Sequence, residues 1–352
     1  MLWGKYEKIQ NAIPSDADGI LLTSEISQYY ATGFELQDGY VLITKDKTYL
    51  LCDFRYTEAA KEHCKDKISV DESSRLGEIL VCENIKTLMF EEDLLTVAEL
   101  ERLTGKYSFV KFIKSQGLLK KLRVFKEDDE IECIVSAQRI AERSFSALLP
   151  TIKEGMTETE LAVELEFLMR RNGADGNAFE TIFISGASTS KPHGVPQNVP
   201  IEKGFVTVDF GALYKGYRSD MTRTFAFGCA SEEMRDVYNT VLKAQMSALE
   251  YLELGGRDCF EADKQARDII DEKYKGTFGH SLGHGVGLQI HESPRLSPAC
   301  KGEKLSKGHV VTVEPGIYIP GCMGVRIEDM VVVYEDGIRN ITECPKELIE
   351  IC

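Results

Sequence analysis

Between residues 20 and 56 the apolar positions gather in short runs, GILLT, GYVLIT and TYLLCDFRY, separated by polar turns. Runs of this length, rich in β-branched and aromatic side chains, predict strands. The period then lengthens. RYTEAAKEHCK and TVAELERLTG repeat their apolar positions every three or four residues and predict helices. Strands and helices over about the first 120 residues make a small α/β module. The basic stretch Lys120–Lys126 then gives way at once to the acidic run Glu127–Glu130. Acids at a helix start complement the macrodipole, so a new helix begins there. A boundary near residue 122 divides the chain into an N-terminal domain, 1–122, and a C-terminal domain, 123–352.

In the second part the spacing predicts a long helix over 128–149. Another follows in GMTETELAVELEFLMRRNG, with Thr157 as N-cap, Glu160 completing a capping box, and an Asn-Gly exit. Two more helices are predicted in SEEMRDVYNTVLKAQMSALEYLELGG and DCFEADKQARDIIDEKYKG. Strand-like segments fall at 178–185, 204–212, 217–227, 309–319 and 325–334. Helices in one set and hairpins in another predict an α+β domain, an antiparallel sheet covered by helices.

Composition narrows the partners. A net charge of −15 argues against nucleic acid or an anionic membrane surface. No apolar run approaches eighteen residues, so no membrane span is expected. Lys5, Glu7 and Lys8 interrupt the start of the chain, so no signal peptide is expected either, and the expected location is cytoplasmic. The ten cysteines contain no Cys-x-x-Cys pair and are expected to be reduced thiols. The Asn340-Ile-Thr sequon then carries no glycan.

The segment FVTVDFG alternates, with Thr207, Asp209 and Gly211 on one face and Val206, Val208 and Phe210 on the other. On the return strand Arg218, Asp220, Thr222 and Thr224 share a face. With LYKG as the loop, a hairpin symmetric about residues 214 and 215 sets Asp209 opposite Asp220. Like charges directly opposed, with Cβ atoms ~4.5–5.5 Å apart, destabilise a sheet. A shared proton or a cation offsets that repulsion. VVTVEPGIYIPGCMGVRIEDM repeats the arrangement: Glu314 and Glu328 have their midpoint at Gly321, and Arg326 lies on their face. Two acidic pairs on two hairpins are expected to form halves of one site. Of six histidines, His280, His284 and His291 fall within the Gly-rich GHSLGHGVGLQIHESP. Four carboxylates and an imidazole are a hard, oxygen-rich ligand set that suits Mn²⁺, Fe²⁺ or Co²⁺ and admits Zn²⁺. Bridging carboxylates hold two such ions ~3.5–4 Å apart. With no cysteine at a motif position, a structural zinc finger is excluded.

The blocks VDFGALYKGYRSDMTRTFAFG, GHSLGHGVGLQIHESP, VEPGIYIPG and VRIEDMVVV resemble the signatures of the creatinase/prolidase family of pita-bread metallopeptidases. SGASTSKPHGVPQNVPIEKG is similar to the block with that family's upstream histidine, and YYATGFELQDGYVLITKDKTYLLCDFRY to the start of its small N-terminal domain. The resemblance implies a pita-bread C-terminal domain behind a smaller creatinase-type α/β domain. It implies two divalent metal ions, Mn²⁺ first and Co²⁺ or Zn²⁺ after it. Asp209, Asp220, His284, Glu314 and Glu328 would hold them, with Asp220 and Glu328 bridging. His193 and His291 would flank the substrate and stabilise the tetrahedral intermediate. Glu314 would relay the proton, and His280 and Arg326 would line the pocket near the scissile proline. The implied substrate is a proline-containing peptide and the implied assembly a homodimer.

Within that resemblance the expected activity is X-prolyl aminopeptidase, with Xaa-Pro dipeptidase (prolidase) as the alternative. A methionine aminopeptidase shares the ligand set but not the KPHG and HESP contexts. A metal-free binding protein of the family would have lost some of the five ligands. Tyr318, four residues after Glu314, reads equally well as core packing and is left outside the expected site. His63 and His309 are expected to be structural.

Overall fold

Short apolar strands in the first third of the chain join into one mixed sheet. The computed structural model describes residues 4–65 and 67–352. It divides into two compact units, Met1–Arg123 and Val124–Cys352. In the first, helices α1 (Tyr6–Ala12), α2 (Glu25–Thr32), α3 (Phe54–Cys64), α4 (Leu76–Cys82), α5 (Val97–Lys106) and α6 (Leu118–Arg123) accompany six strands. These are β1 (Gly19–Leu22), β2 (Gly39–Thr44), β3 (Thr48–Cys52), β4 (Ser69–Glu72), β5 (Thr87–Phe90) and β6 (Lys111–Lys114), in the order β4-β3-β2-β1-β5-β6. The pairs β1/β2 and β2/β3 are antiparallel, and the other three are parallel. The run TYLLCDFRY is shorter as a strand than its apolar residues suggest. It stops at Cys52, because the Asp53 carboxylate accepts the Arg55 amide and caps α3.

The second unit opens with α7 (Asp128–Leu148) and α8 (Glu158–Arg171). Thr157 and Glu160 form the capping box of α8, and the chain leaves it through Asn172 and a left-handed Gly173. Strands β7 (Gly176–Asn177), β8 (Ile182–Ser185), β9 (Gly204–Phe210), β10 (Ala212–Tyr214), β11 (Tyr217–Arg218) and β12 (Met221–Phe227) follow. After α9 (Glu232–Glu253) and α10 (Cys259–Lys273) come β13 (Gly283–Gly285), β14 (Glu292–Leu296), β15 (Val310–Val313), β16 (Gly316–Ile319) and β17 (Met323–Arg326). Strands β18 (Asp329–Val333), β19 (Ile338–Asn340) and β20 (Glu350–Ile351) complete the unit. One sheet runs β20-β12-β9-β8 and another β14-β13-β15-β18-β19. Apolar residues of α7 and α8, among them Phe145 and Leu161, pack on Val206, Val208 and Phe210 of β9. Val237, Val241 and Ile270 of α9 and α10 pack on Val311, Val313 and Val331. With Val206, Val208 and Phe210 committed to that core, strand alternation turns Thr207 and Asp209 to the opposite face.

The first hairpin corrects the expected register. Its turn is the two-residue Lys215-Gly216, both with positive φ (48° and 77°), and Tyr214 pairs with Tyr217. That geometry is the hairpin turn whose twist matches its strands, and Gly at 216 adopts it without a Cβ clash. The symmetry point therefore lies between residues 215 and 216, and Asp209 pairs with Thr222 rather than Asp220. The two acids are diagonal neighbours on one face. The second hairpin has the expected register. Gly316 pairs with Arg326, Tyr318 with Gly324 and Val313 with Asp329, so Glu314 and Glu328 meet where one ladder ends and the next begins. Among the described residues no helix is long and apolar enough to cross a membrane.

Candidate metal centre

The two hairpins are joined side by side through β12. The Glu328 amide donates to the Thr222 carbonyl (3.2 Å), and the Thr224 hydroxyl donates to the Arg326 carbonyl (3.0 Å). On the buried side Arg223 ion-pairs with Asp329 at 2.9 Å and also donates to the Glu328 carbonyl. This stitching sets the two acidic pairs against each other. Asp209, Asp220, His284, Glu314 and Glu328 line one cavity of about 440 Å³ together with His193, His280, His291 and Arg326. Ligand atoms of Asp220, His284 and Glu328 lie within 4.8 Å of one another.

Thr222, opposite Asp209, is the pivot of the site. Its hydroxyl donates to Glu328 Oε2 at 2.7 Å and accepts from Arg326 Nε at 2.9 Å. Arg326 then donates through Nη2 to Asp209 Oδ2 (2.7 Å) and through Nη1 to the Tyr318 hydroxyl (2.8 Å) and the Pro192 carbonyl (3.2 Å). Tyr318 thus belongs to the site's framework and not merely to the core. The His280 Nδ1–H donates to the Ser281 carbonyl at 2.9 Å, so Nε2 is the acceptor for the Tyr318 hydroxyl, also at 2.9 Å. Helix α10 holds the histidine segment. Asp263 accepts the Leu282 amide, and its ion-pair partner Arg267 donates to the carbonyls of Phe278 and His280.

Thr222 and Tyr318 share the period-two face of acids already singled out, two residues from Asp220 and four from Glu314, so alternation pointed to both. Asp263 and Arg267 carried no such signal, because they act on the site only through backbone groups of the loop that follows α10. Arg295 was also missed. It lines the cavity four residues after His291. His63 and His309 lie outside this cavity; the first meets the Thr32 carbonyl at 2.9 Å and the second accepts the Ser306 amide.

The donor set fits cations. His284 Nδ1–H donates to the Gly285 carbonyl (3.1 Å), which leaves the Nε2 lone pair aimed at Glu314 (3.3 Å) and Asp220 (3.6 Å). Burial lowers the His284 pKa to about 4, so the ring is neutral and able to ligate. Asp209 Oδ1 is buried with no hydrogen-bond partner among the described residues. Burial, then the charges of Glu328 and Asp209, push the Asp220 carboxyl well above its ordinary range. Burial, then Glu314 and Asp209, do the same to Glu328, and burial pushes Glu314 up to about 8. Acids gathered in one largely buried pocket are unfavourable without a counter-charge, and a lone pair left over on Asp209 and another on His284 face it.

Fold and cavity together are those of a metallopeptidase. Residues 132–335 match metallopeptidase family M24, and residues 7–125 match the creatinase/prolidase N-terminal domain. The chain belongs to this metallopeptidase family. It is 41% identical to the solved Xaa-Pro dipeptidase from Bacillus anthracis, over 98% of this chain and 99% of that one, with a TM-score of 0.92. It is 40% identical to the Xaa-Pro dipeptidase of Pyrococcus furiosus, over 94% of this chain and 95% of the relative. The X-Pro aminopeptidase structure from Thermotoga maritima superposes with a TM-score of 0.90 at 35% identity, covering 95% of this chain and 97% of that one.

Proposed function

We propose that this metallopeptidase is an Xaa-Pro dipeptidase, a prolidase that splits the bond before a carboxy-terminal proline. The observation that carries the reading is Arg295. It is exposed on the cavity beside His291, and among the described residues it has no ion-pair partner. A dipeptide presents its carboxylate one residue beyond the scissile bond, and a guanidinium matches a carboxylate in a bidentate fork. The aminopeptidase expected from the sequence needs no such anchor and an open exit instead. It stays as the second reading because the Thermotoga X-Pro aminopeptidase shares the fold so closely.

Asp209, Asp220, His284, Glu314 and Glu328 would hold two divalent ions, manganese being the one assigned first. When bound, such ions supply the Lewis acidity that makes water nucleophilic near neutral pH. Glu314 takes the proton of the attacking water and returns it to the proline nitrogen. His291 and His193, on the open side of the cavity, donate to the oxyanion that develops on the scissile carbonyl. His280 and Arg326 line the pocket beside the scissile proline, and Arg326 also holds Asp209 in place. Phe179, Ile182 and Ile290 supply an apolar wall for the proline ring, which has no N–H to be gripped. A cytoplasmic homodimer completes the reading, on family resemblance.

The test compares Gly-Pro with Gly-Pro-Ala on Mn²⁺-loaded protein, with a chelated control. Chelator-sensitive cleavage of the dipeptide is expected. Arg295→Ala should raise its KM by about 10–100-fold, the loss of a charge-assisted contact, with a smaller change in kcat. Cleavage of the tripeptide alone would establish the aminopeptidase instead.

A further inference from the structure

Of the ten cysteines, two meet on the surface at the edge of the β20-β12-β9-β8 sheet. Cys229 Sγ and Cys352 Sγ are 3.5 Å apart, the one sulfur–sulfur contact among the described residues. The fold brings them together by register. Strands β12 and β20 run parallel with Ala226 against Glu350 and Phe227 against Ile351, and the Gly228 amide donates to the Ile351 carbonyl at 2.7 Å. Just past this ladder lie Cys229, two residues after Phe227, and Cys352, one residue after Ile351. Glu350 anchors the approach on both sides. Its carboxylate accepts the Ala230 amide (2.9 Å) and ion-pairs with Arg235 (2.6 Å). Both thiols are exposed and open to a reagent. The hydrogen bond to Cys229 raises the Cys352 thiol, but both sulfurs stay accessible, whereas burial pushes Cys64 up to about 11 and Cys259 up to about 12 and closes them to reagents.

We propose that Cys229 and Cys352 are a redox modification site, a reversible disulfide that staples β20 onto β12 and is made by exchange with a low-molecular-weight disulfide. One thiolate attacks a sulfur of the small disulfide, forming a mixed disulfide and expelling one small thiolate. The second protein thiolate then attacks the protein sulfur of that mixed bond and expels the other small thiolate. The two protein thiols lose two electrons and two protons. The small disulfide gains them and leaves as two thiols. A strand of two residues on a sheet edge opens easily in the reduced protein, and a bridge that closes the long loop from 229 to 352 removes that opening.

The experiment equilibrates the full chain with oxidised and reduced glutathione at pH 8, quenches with acid, and counts free thiols by maleimide mass labelling under denaturing conditions. The expected result is a cooperative loss of two thiols, a cross-linked peptide pair containing Cys229 and Cys352, and slower amide exchange over residues 346–352. Cys229→Ser and Cys352→Ser, surface changes that leave the core untouched, should each lose the bridge and the exchange protection. Glutathione retained as a stable adduct on either cysteine of the wild-type chain, a bridge between another pair, or ten thiols still free in excess oxidised glutathione would each overturn the proposal.

Discussion

The Tyr318 hydroxyl sits between a donor and an acceptor whose roles are fixed by their other bonds. Arg326 can only donate, and His280 has already committed its Nδ1–H to the Ser281 carbonyl. Burial, then the charge of Arg326, lowers the His280 pKa to about 4, and burial raises Tyr318 to about 12. The ring stays neutral and the phenol stays protonated across neutral pH, so the chain Arg326→Tyr318→His280 has one direction. Its far end is the bond from Arg326 to Asp209. Tyr318→Phe should therefore leave Arg326 Nη1 with the Pro192 carbonyl alone and unpair His280 Nε2, at a cost of about 1–3 kcal/mol. Asp209 then loses its fixed orientation, and kcat/KM on an Xaa-Pro dipeptide should fall about 10–100-fold. Steady-state kinetics beside a thermal melt checks this. A variant with full activity and an unchanged melting temperature would show that Tyr318 only fills space. At this scale alternation made most of the site legible. Asp209, Asp220, Glu314, Glu328 and Arg326 occupy in-phase positions, and so do Thr222 and Tyr318. What alternation does not carry is which in-phase residue faces which, and that depended on the turn.

Turns and helix ends decided where the elements delivered those residues. The hairpin around Gly321 is symmetric in sequence and in structure, so its acids meet as its pattern indicates. The hairpin at Lys215-Gly216 is shifted because a tight turn needs two residues of positive φ, a demand that apolar spacing does not express. Strands β13 and β14 were illegible for another reason. GHGVGLQIHESP has no period-two run, and Gly283 and Gly285 pair there because backbone packs where a Cβ would lie 2.0 Å from Thr312 O and 2.3 Å from Ser293 O. Helix α10 was visible as a helix, but its task was not. Arg267 stacks on Phe278 at 4.2 Å, pairs with the buried Asp263 and donates to two carbonyls that lead into β13. Arg267→Ala leaves Asp263 uncompensated, and the expected loss is about 3–5 kcal/mol in denaturant unfolding. Mn²⁺ affinity should fall about 10–100-fold by calorimetric titration, because the loop that aims His284 loosens. Arg267→Lys should recover little of either, since an ammonium cannot make the fork to Asp263 and both carbonyls. Full rescue by lysine would reduce Arg267 to a point charge.

Across the whole molecule the candidate metal site is where stability is given up for function. Two apolar layers hold β9, β12, β15 and β18 from their outer faces, and they force Asp209, Asp220, Glu314 and Glu328 together inside. The hydrophobic residues and the Arg223–Asp329 pair supply the stability, while the acids oppose it until a counter-charge arrives. Two consequences have opposite signs in one variant. Asp220→Asn keeps the shape, removes one of the crowded charges, and should raise the melting temperature of the chelated protein by a few degrees, about 2–4 °C for each kcal/mol of relieved repulsion. The same variant should lose the stabilisation that Mn²⁺ gives the wild-type chain, because a neutral amide cannot bridge two ions and binding is what adds that stability. Differential scanning calorimetry at pH 8, with chelator and then with Mn²⁺, separates the two effects. If Asp220→Asn melts below the wild type in chelator and still responds fully to Mn²⁺, Asp220 is neither a strained acid nor a ligand. If it melts higher and ignores the metal, the acids are held together against their own repulsion for the cations alone.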